Sequence, residues 1–343
     1  MARAPHFGTL AMTLLLASAT RAEDPAVVLS EFIYNEAPFA SCHASTIAEG
    51  PRGLAAAWFG GTREGANDVG IWLSLRSETG WSSPIEVADG RDSEDVRYPS
   101  WNPVLFQVPG KELLLYYKVG PSPSRWWGMV KSSGDGGRTW SEGRRLPDDI
   151  LGPIKNKPVL LDGGVLLCPS STEHDGWRVR MEWTNDFGRT WEKSEPIGDG
   201  RQVGIIQPAI LTHADGRLQF LCRSRQGRIY QAFSKDKGKT WDEPTPSVLP
   251  NPNSGIDALT LKDGRFLLIY NHTSKDRSPL NLALSSDGIE WKAGPMLEDQ
   301  PGEYSYPAII QTNDGLVHMT YTYLRKKIKH VVVDPAKIVA KDL

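Results

Sequence analysis

Four segments of the chain combine side chains whose types could do chemistry. They contribute Arg63, Glu64 and Asp68; Gln207, Arg223 and Arg225; Arg277; and Tyr304 and Tyr306. Carboxyl and phenol groups can exchange protons, and a guanidinium binds a carboxylate through planar, charge-assisted hydrogen bonds. Taken singly, each segment also has an ordinary explanation: a solvated polar loop, surface charge after an apolar strand, or a tyrosine packed at a strand start.

A second set of acids lies in glycine-rich turns. "SGDGGRTW", "TNDFGRTW" and "SKDKGKTW" each combine an acid, a hydroxyl and a tryptophan, and a fourth copy, "SSDGIEW", is one residue shorter. Their aspartates, Asp135, Asp186, Asp236 and Asp287, lie 51, 50 and 51 residues apart. A catalytic centre needs side chains that converge on one point, whereas turns of fixed period are spread around a fold. We therefore interpret them as structural turns, in which the aspartate caps its own backbone amides.

The same period predicts the fold. Asp-Gly pairs between apolar runs, as in "HADGRLQFLC", are hairpin signals, and repeating units begin near Cys42, Tyr98, Pro153, Ile206, Ile256 and Tyr306. Six units of three to four strands, with almost no helical periodicity, predict an all-β, six-bladed β-propeller with Asp-box turns. The last unit is short of a strand, so "AVVLSEFIY" (residues 26–34) is expected to close the ring and remove its exposed sheet edges. One propeller domain would then span residues 23–343.

The N-terminus predicts export. Arg3 precedes a short apolar run, Gly8–Ala19, and small residues follow it. This order is typical of a signal peptide (residues 1–22), with cleavage after Ala19 or Ala22. The run is too short to span a bilayer, and no other segment is long and apolar enough. A periplasmic or extracellular protein without a membrane span is expected.

Composition narrows the possible partners. The net charge of −2 argues against a nucleic-acid partner, which requires a basic surface. The three cysteines, Cys42, Cys168 and Cys222, permit at most one disulfide and lack CxxC spacing, so we interpret them mainly as buried small residues. No cofactor motif is present and no metal is required, although Asp-rich turns could hold calcium. A monomer is expected.

The Asp-box form and the order of the non-repeating residues together resemble the sialidase (neuraminidase) superfamily over nearly all of the mature chain. The resemblance implies an exo-glycosidase that removes a terminal sialic acid, or a related acidic sugar, from glycans. It also implies roles: Asp68 as the general acid with Arg63 supporting its loop, Arg223 and Arg277 as carboxylate ligands, and Tyr306 as the nucleophile. A substrate carboxylate would repel an anionic nucleophile, which explains a tyrosine. Asp68 would need an environment that raises its pKa.

Two positions depart from the family pattern. His43, in "SCHAST", occupies the place of the arginine that opens the first blade in sialidases. Gln207, in "IIQPAI", occupies the place of the glutamate that polarises the tyrosine, and an amide cannot accept the phenol proton. Glu303 and His43 are the alternative proton acceptors. A protonated His43 could also bind an anion, or the ring could act as acid or base on a different sugar.

These departures leave two further functions open. One is a lyase or hydrolase for another acidic sugar, which would use His43 with Tyr306. The other is a non-catalytic propeller that binds glycans. The segment "PSPSRWWGM" (residues 121–129) could be an aromatic binding loop or interblade packing. The remaining non-repeating candidates are Lys155, Lys157, His174, Trp101, Trp126 and Trp127.

Overall fold

The computed structural model describes Met1 and residues 24–343. The predicted export signal, apart from Met1, therefore lies outside the described residues. Six antiparallel sheets form the blades of a propeller, as the sequence period predicts. Helix is confined, in the described part of the chain, to one 3₁₀ turn at Pro335–Lys337, and none of its helices could cross a membrane.

The first three blades follow the order of the chain after strand β1 (Val27–Phe32). Blade one contains β2 (Ser41–Gly50), β3 (Gly53–Gly61) and β4 (Gly70–Ser77), with β5 (Gly80–Trp81) and β6 (Ile85–Ala88) both pairing with β4. Blade two contains β7 (Ser100–Gln107), β8 (Leu113–Val119), β9 (Trp127–Ser133) and β10 (Arg144–Arg145). Blade three contains β11 (Val159–Leu160), β12 (Leu166–Thr172), β13 (Arg178–Thr184) and β14 (Glu192–Lys193).

The remaining blades complete the ring. Blade four contains β15 (Ile205–Thr212), β16 (Leu218–Ser224), β17 (Arg228–Ser234) and β18 (Thr245–Pro250). Blade five contains β19 (Asp257–Thr260), β20 (Phe266–Tyr270), β21 (Leu280–Ser285) and β22 (Trp291–Glu298). Blade six contains β23 (Tyr304–Gln311), β24 (Val317–Tyr323), β25 (Lys327–Val333) and, on its outer edge, β1.

The two ends of the described propeller meet in blade six. Strand β1 pairs antiparallel with β25, so that Ser30 lies opposite Val331 and Phe32 opposite Lys329. The predicted closure by an N-terminal strand is therefore confirmed. It gives β25 a second neighbour and so covers an edge that would otherwise be open to another chain.

The core lies between the blades, because each sheet buries its faces against its neighbours. One cluster combines Leu259 and Leu282 of blade five with Ile309 and Val331 of blade six. Alternating strand residues thereby bury apolar side chains on both faces of a sheet. The three cysteines are buried and free, which agrees with their interpretation as small core residues.

The Asp-box turns satisfy their own polar groups. The Asp135 carboxylate accepts hydrogen bonds from the amides of Arg138 (3.0 Å) and Thr139 (2.9 Å), and from the hydroxyls of Thr139 (2.7 Å) and Ser133 (2.8 Å). Trp140 packs against the cluster between blades one and two. The turns around Asp186 and Asp236 repeat this arrangement, so the boxes are scaffold.

Candidate active site

The innermost strands of four blades carry the same backbone distortion. Each contains a register shift in its pairing with the next strand, and each has one non-glycine residue with positive φ there. These residues are Ala44 (57°), Asn102 (36°), Gln207 (57°) and Tyr306 (51°). Such bulges re-aim side chains and are concentrated near active sites, as is backbone strain of this kind.

Two of these residues meet at the propeller centre, although their blades are not adjacent. The Nε2 group of Gln207 donates to the Tyr306 hydroxyl oxygen at 3.3 Å. Nη1 of Arg223 donates to the same oxygen at 2.6 Å and to Oε1 of Gln207 at 3.3 Å. Three predicted site residues are therefore in contact. Because both donors approach the phenol oxygen, they stabilise negative charge on it.

Arg223 is fixed by a residue that sequence reasoning missed. The Asn253 Oδ1 accepts hydrogen bonds from Arg223 Nε (2.9 Å) and Arg223 Nη2 (2.7 Å). The Asn253 backbone oxygen also accepts one from Arg223 Nη2 (2.5 Å). Asn253 itself has φ of 59°, a conformation that asparagine tolerates. With Nε and Nη2 held in this way, Nη1 of the buried guanidinium is directed to Tyr306 and Gln207.

His43 lies against the face of Tyr306, with ring centroids 4.1 Å apart. It is buried, and Nδ1 lies 3.0 Å from the Thr322 hydroxyl. Burial, followed by the charges of Arg325 and the other site arginines, lowers the pKa of His43 well below its usual value. The neutral ring is therefore favoured, which disagrees with the idea of a protonated His43 that binds an anion.

A shared carboxylate joins two arginines beside this pair. Oε1 of Glu303 accepts from Nη1 of Arg277 and from Nε of Arg325, both at 2.7 Å, and from the Ser305 hydroxyl at 2.9 Å. Burial raises the pKa of Glu303, but Arg325 and Arg277 outweigh burial and hold the pKa below its usual value. Within residues 24–343, no carboxylate hydrogen-bonds the Tyr306 hydroxyl, so Glu303 is not in place as its proton acceptor.

Arg277 and Arg223 both flank the nucleophile candidate. Their guanidinium carbons lie 5.6 Å and 5.7 Å from the Tyr306 ring centroid. Arg325 was not predicted from the sequence, because "YLRKK" is typical of a charged surface hairpin. Three arginines therefore surround the Tyr306–His43 pair.

Asp68 lies in the exposed loop between β3 and β4. Its Oδ2 accepts from the Thr62 amide at 2.8 Å and from the Thr62 hydroxyl. These bonds lower the pKa of Asp68, so the free site does not supply the raised value expected for its acid role. Glu64 of the same loop bonds Arg325 at 2.5 Å, which places the loop beside the three arginines. Arg63 is exposed, and its guanidinium forms no hydrogen bond in the described part of the chain.

The two central lysines brace the inner strands. Nζ of Lys155 donates to the backbone oxygens of Ile256 (2.9 Å) and Pro307, and burial lowers the pKa of Lys155 to about 7. Lys157 pairs with the buried Asp257 carboxylate at 3.0 Å. Both lysines thus satisfy groups inside the ring. No three His, Cys, Asp or Glu side chains come together as a metal site among residues 24–343.

The candidate tryptophans divide into packing and cavity residues. Trp101 is buried and donates to the Gly120 oxygen, while Trp127 packs edge-on against Tyr98. Trp126 lines a cavity of about 180 Å³ together with His174 and Glu173. Burial raises the pKa of Glu173, another residue that the sequence did not single out.

Comparison with known proteins decides the family. Residues 52–319 match the family described as BNR repeat-like domain. The chain belongs to this family. Two curated sialidases are also similar: one from Paraclostridium sordellii is 26% identical over 169 residues, and one from Bacteroides fragilis is 23% identical over 232 residues. These alignments cover 43% and 58% of this chain, but only 40% and 41% of the relatives.

Solved structures agree on the fold. A Hadza microbial sialidase superposes with a TM-score of 0.74 at 16% identity, covering 87% of this chain and 66% of that chain. A Streptococcus pneumoniae sialidase gives 0.73 at 11% identity, covering 90% and 71%. A Dyadobacter fermentans protein of unknown function gives 0.75 at 17% identity, covering 90% and 99%. The propeller therefore has the sialidase fold, and the resemblance to that superfamily is confirmed.

Proposed function

We propose that the protein is an exo-glycosidase of sialidase type that removes a terminal sialic acid or a related acidic sugar from glycans. The observation that carries this proposal is the 2.6 Å hydrogen bond from Arg223 to the Tyr306 hydroxyl, inside a group of three arginines. This arrangement combines a nucleophile candidate with a binding site for a carboxylate. The sialidase relatives support the same reaction class.

The charge balance favours an anionic ligand. Two carboxylates of the described chain pair with these arginines: Glu303 contacts Arg277 and Arg325, and Glu64 contacts Arg325. Nη2 of Arg325, and Nε and Nη2 of Arg277, form no hydrogen bond within the described residues. These donors remain for a ligand carboxylate, which guanidinium groups bind with good geometry.

The reaction would proceed in two displacements. The Tyr306 oxygen attacks the anomeric carbon, the glycosidic bond breaks, and Asp68 gives its proton to the departing oxygen. The phenol proton passes to solvent water. Water then attacks the anomeric carbon and gives a proton to Asp68, while the released phenolate regains one from solvent. Two displacements retain the anomeric configuration.

Turnover of an aryl sialoside tests this function. We expect release of the aryl group by the wild-type protein, retained configuration in the first product, and losses of at least about 1,000-fold in Tyr306→Phe. Asp68→Asn should lose most activity toward alkyl sialosides. Tyr304→Phe is the matched control, because Tyr304 is buried in the cluster between blades five and six. Turnover that survives both site changes would exclude this mechanism.

A second candidate reaction is β-elimination from an acidic sugar. It is favoured by the neutral His43 ring beside Tyr306, since a neutral imidazole can accept the proton from the carbon next to the carboxylate. The bond to the glycosidic oxygen would then break, that oxygen would take a proton, and a carbon–carbon double bond would remain. Its lowered pKa makes His43 a weak base, so hydrolysis ranks first. A product that absorbs in the near ultraviolet identifies elimination, and glycan binding without turnover identifies a binding propeller.

The site of action is proposed from the N-terminal sequence. We propose export to the periplasm or the exterior, followed by removal of the signal peptide. Sequencing the N-terminus of protein recovered outside the cytoplasm tests this, with cleavage expected after Ala19 or Ala22. Recovery of uncleaved protein only from the cytoplasm would contradict it.

A further inference from the structure

The turn that carries Arg325 is built in an unfavourable conformation. Strands β24 and β25 are joined by residues 324–326, and the Lys326 amide donates to the Tyr323 backbone oxygen at 3.0 Å across the turn. Leu324 (φ 52°) and Arg325 (φ 58°) both adopt positive φ there. Turns with two consecutive positive-φ residues favour Asn-Gly, and positive φ is unfavourable for residues with larger side chains. An arginine at a place that favours glycine or asparagine points to a function for its side chain.

The backbone around the turn holds Arg325 at a junction of blades one and six. Its oxygen accepts from the Cys42 amide at 2.9 Å, and the Leu324 amide donates to the Glu303 oxygen at 2.8 Å. The guanidinium then divides its donors: Nε bonds Glu303 at 2.7 Å, and Nη1 bonds Glu64 at 2.5 Å. Arg325 thus connects the anion site to a residue of another blade, 261 positions away in the chain.

Glu64 belongs to the compact loop that carries Asp68. The loop is tied internally by the Ala66 amide to the Arg63 oxygen (3.1 Å) and by the Val69 amide to the Ala66 oxygen (3.0 Å). The Asp68 carboxylate bonds Thr62 at the start of the loop. Because these hydrogen bonds join both ends of the loop, a displacement of Glu64 would also displace Asp68.

We propose that Arg325 is a positioning residue that couples the anion site to the Asp68 loop through Glu64. This inference rests on the proposed function. A ligand carboxylate takes the unpaired Nη2 of Arg325 and immobilises the guanidinium, while Nη1 retains Glu64. The loop is thereby fixed, and Asp68 is aligned with the leaving oxygen when an acidic glycoside is bound. A neutral glycoside lacks this effect.

Leaving-group dependence tests the coupling. Glu64→Gln keeps the shape of the side chain but removes its charge, so the pair with Arg325 weakens. We expect kcat on an alkyl sialoside to fall about tenfold, because that leaving oxygen needs the acid, with less than about twofold change on an aryl sialoside. Arg325→Lys should lie between the wild type and Glu64→Gln. Equal losses on both substrates, or no loss on either, would overturn the proposal.

A second measurement needs no turnover. Hydrogen exchange of the Ala66 and Val69 amides in the ligand-free protein should accelerate several-fold in Glu64→Gln, because the loop loses its link to Arg325. Glu78→Gln is the control, since Glu78 is exposed and forms no hydrogen bond in the described part of the chain. Unchanged exchange in Glu64→Gln would overturn the coupling. A wild-type protein that hydrolyses neither sialoside would instead refute the proposed function, whatever the exchange result.

Discussion

The outer Asp-box turns and the inner-strand bulges both use backbone with positive φ, but they satisfy their side chains differently. In the box turn of blade three, the Asp186 carboxylate binds Thr184, Arg189 and Thr190, all within five residues of the chain. At the inner bulges, Gln207 and Tyr306 find each other across 99 positions of sequence. Local satisfaction suits a scaffold that must form in every blade, whereas distant contacts build one unique place.

The comparison also separates stability from activity. The Asp186 carboxylate has its hydrogen-bond partners in its own turn, so replacing this aspartate should weaken one blade and leave the centre intact. A central residue such as Arg223 shares partners with three segments of chain, and its loss removes groups that would touch the substrate. Replacing a box aspartate should therefore lower the stability and not the turnover, whereas replacing a central residue should lower the turnover.

The largest effect is expected at the centre. Arg223→Met should lower kcat/KM for an aryl sialoside by about 100- to 1,000-fold, because it removes the charged donor to the Tyr306 oxygen and one carboxylate ligand. The measurement is steady-state kinetics, with thermal unfolding recorded in parallel. Arg225→Met is the matched control: Arg225 stacks on Trp177 at 4.0 Å and does not contact Tyr306. Similar losses in both variants would show that general charge, rather than the Tyr306 contact, is responsible.

The next effect is expected at a box turn. Asp186→Ala removes the acceptor for three neighbouring residues and should lower the free energy of unfolding by about 2 kcal/mol, with kcat/KM unchanged. Asp162→Ala is the control in the same blade, since Asp162 forms no hydrogen bond in the described structure. Denaturant unfolding measures the difference. A large fall in kcat/KM of Asp186→Ala at a temperature where it is folded would break the distinction between the two regions.

Low pH should reduce the difference in stability between the wild type and Asp186→Ala. Burial raises the pKa of Asp186, but the hydrogen bonds from Thr190, Thr184 and Arg189 outweigh burial and lower the pKa to about 2, from an ordinary 3.8. A lowered folded-state pKa contributes stability above the unfolded value, and that stability is lost as the pH falls toward the folded value. The gap between wild type and Asp186→Ala should therefore shrink between about pH 4 and about pH 2. A constant gap would contradict the assigned hydrogen bonds.

The scaffold was predictable because its information is local and repeated. The spacing of Asp135, Asp186 and Asp236 indicated the blades, and the missing strand of the last unit indicated closure by β1. Each of these inferences uses residues that are close in the chain or that recur with a period. Packing then follows, because a β-sheet with two apolar faces must be covered on both.

The site was predictable only where a residue broke the repeat. Gln207 and Tyr306 do not recur from blade to blade, the resemblance to sialidases singled them out, and the structure brings them together. Arg325 and Asn253 could not be found in this way, because an arginine in a charged hairpin and an asparagine in a proline-rich loop are ordinary. Their importance arises from contacts made only after the ring closes.

The smallest structural change at the centre replaces the Gln207 amide by a carboxylate, which adds one negative charge. Gln207→Glu is isosteric, and its carboxylate would lie within hydrogen-bond reach of Tyr306 and Arg223, as the Gln207 amide does at 3.3 Å. A carboxylate can accept the phenol proton that the amide cannot, so kcat should rise about tenfold if proton removal limits the reaction. The gain in kcat should appear as the pH rises through the pKa of the new glutamate and vanish below it.

The control for this substitution is Gln202→Glu, at an exposed position. If Gln207→Glu instead lowers kcat at every pH, Arg223 is more useful as an unshared donor to Tyr306 than as the partner of a base, and the amide is itself an adaptation of this site.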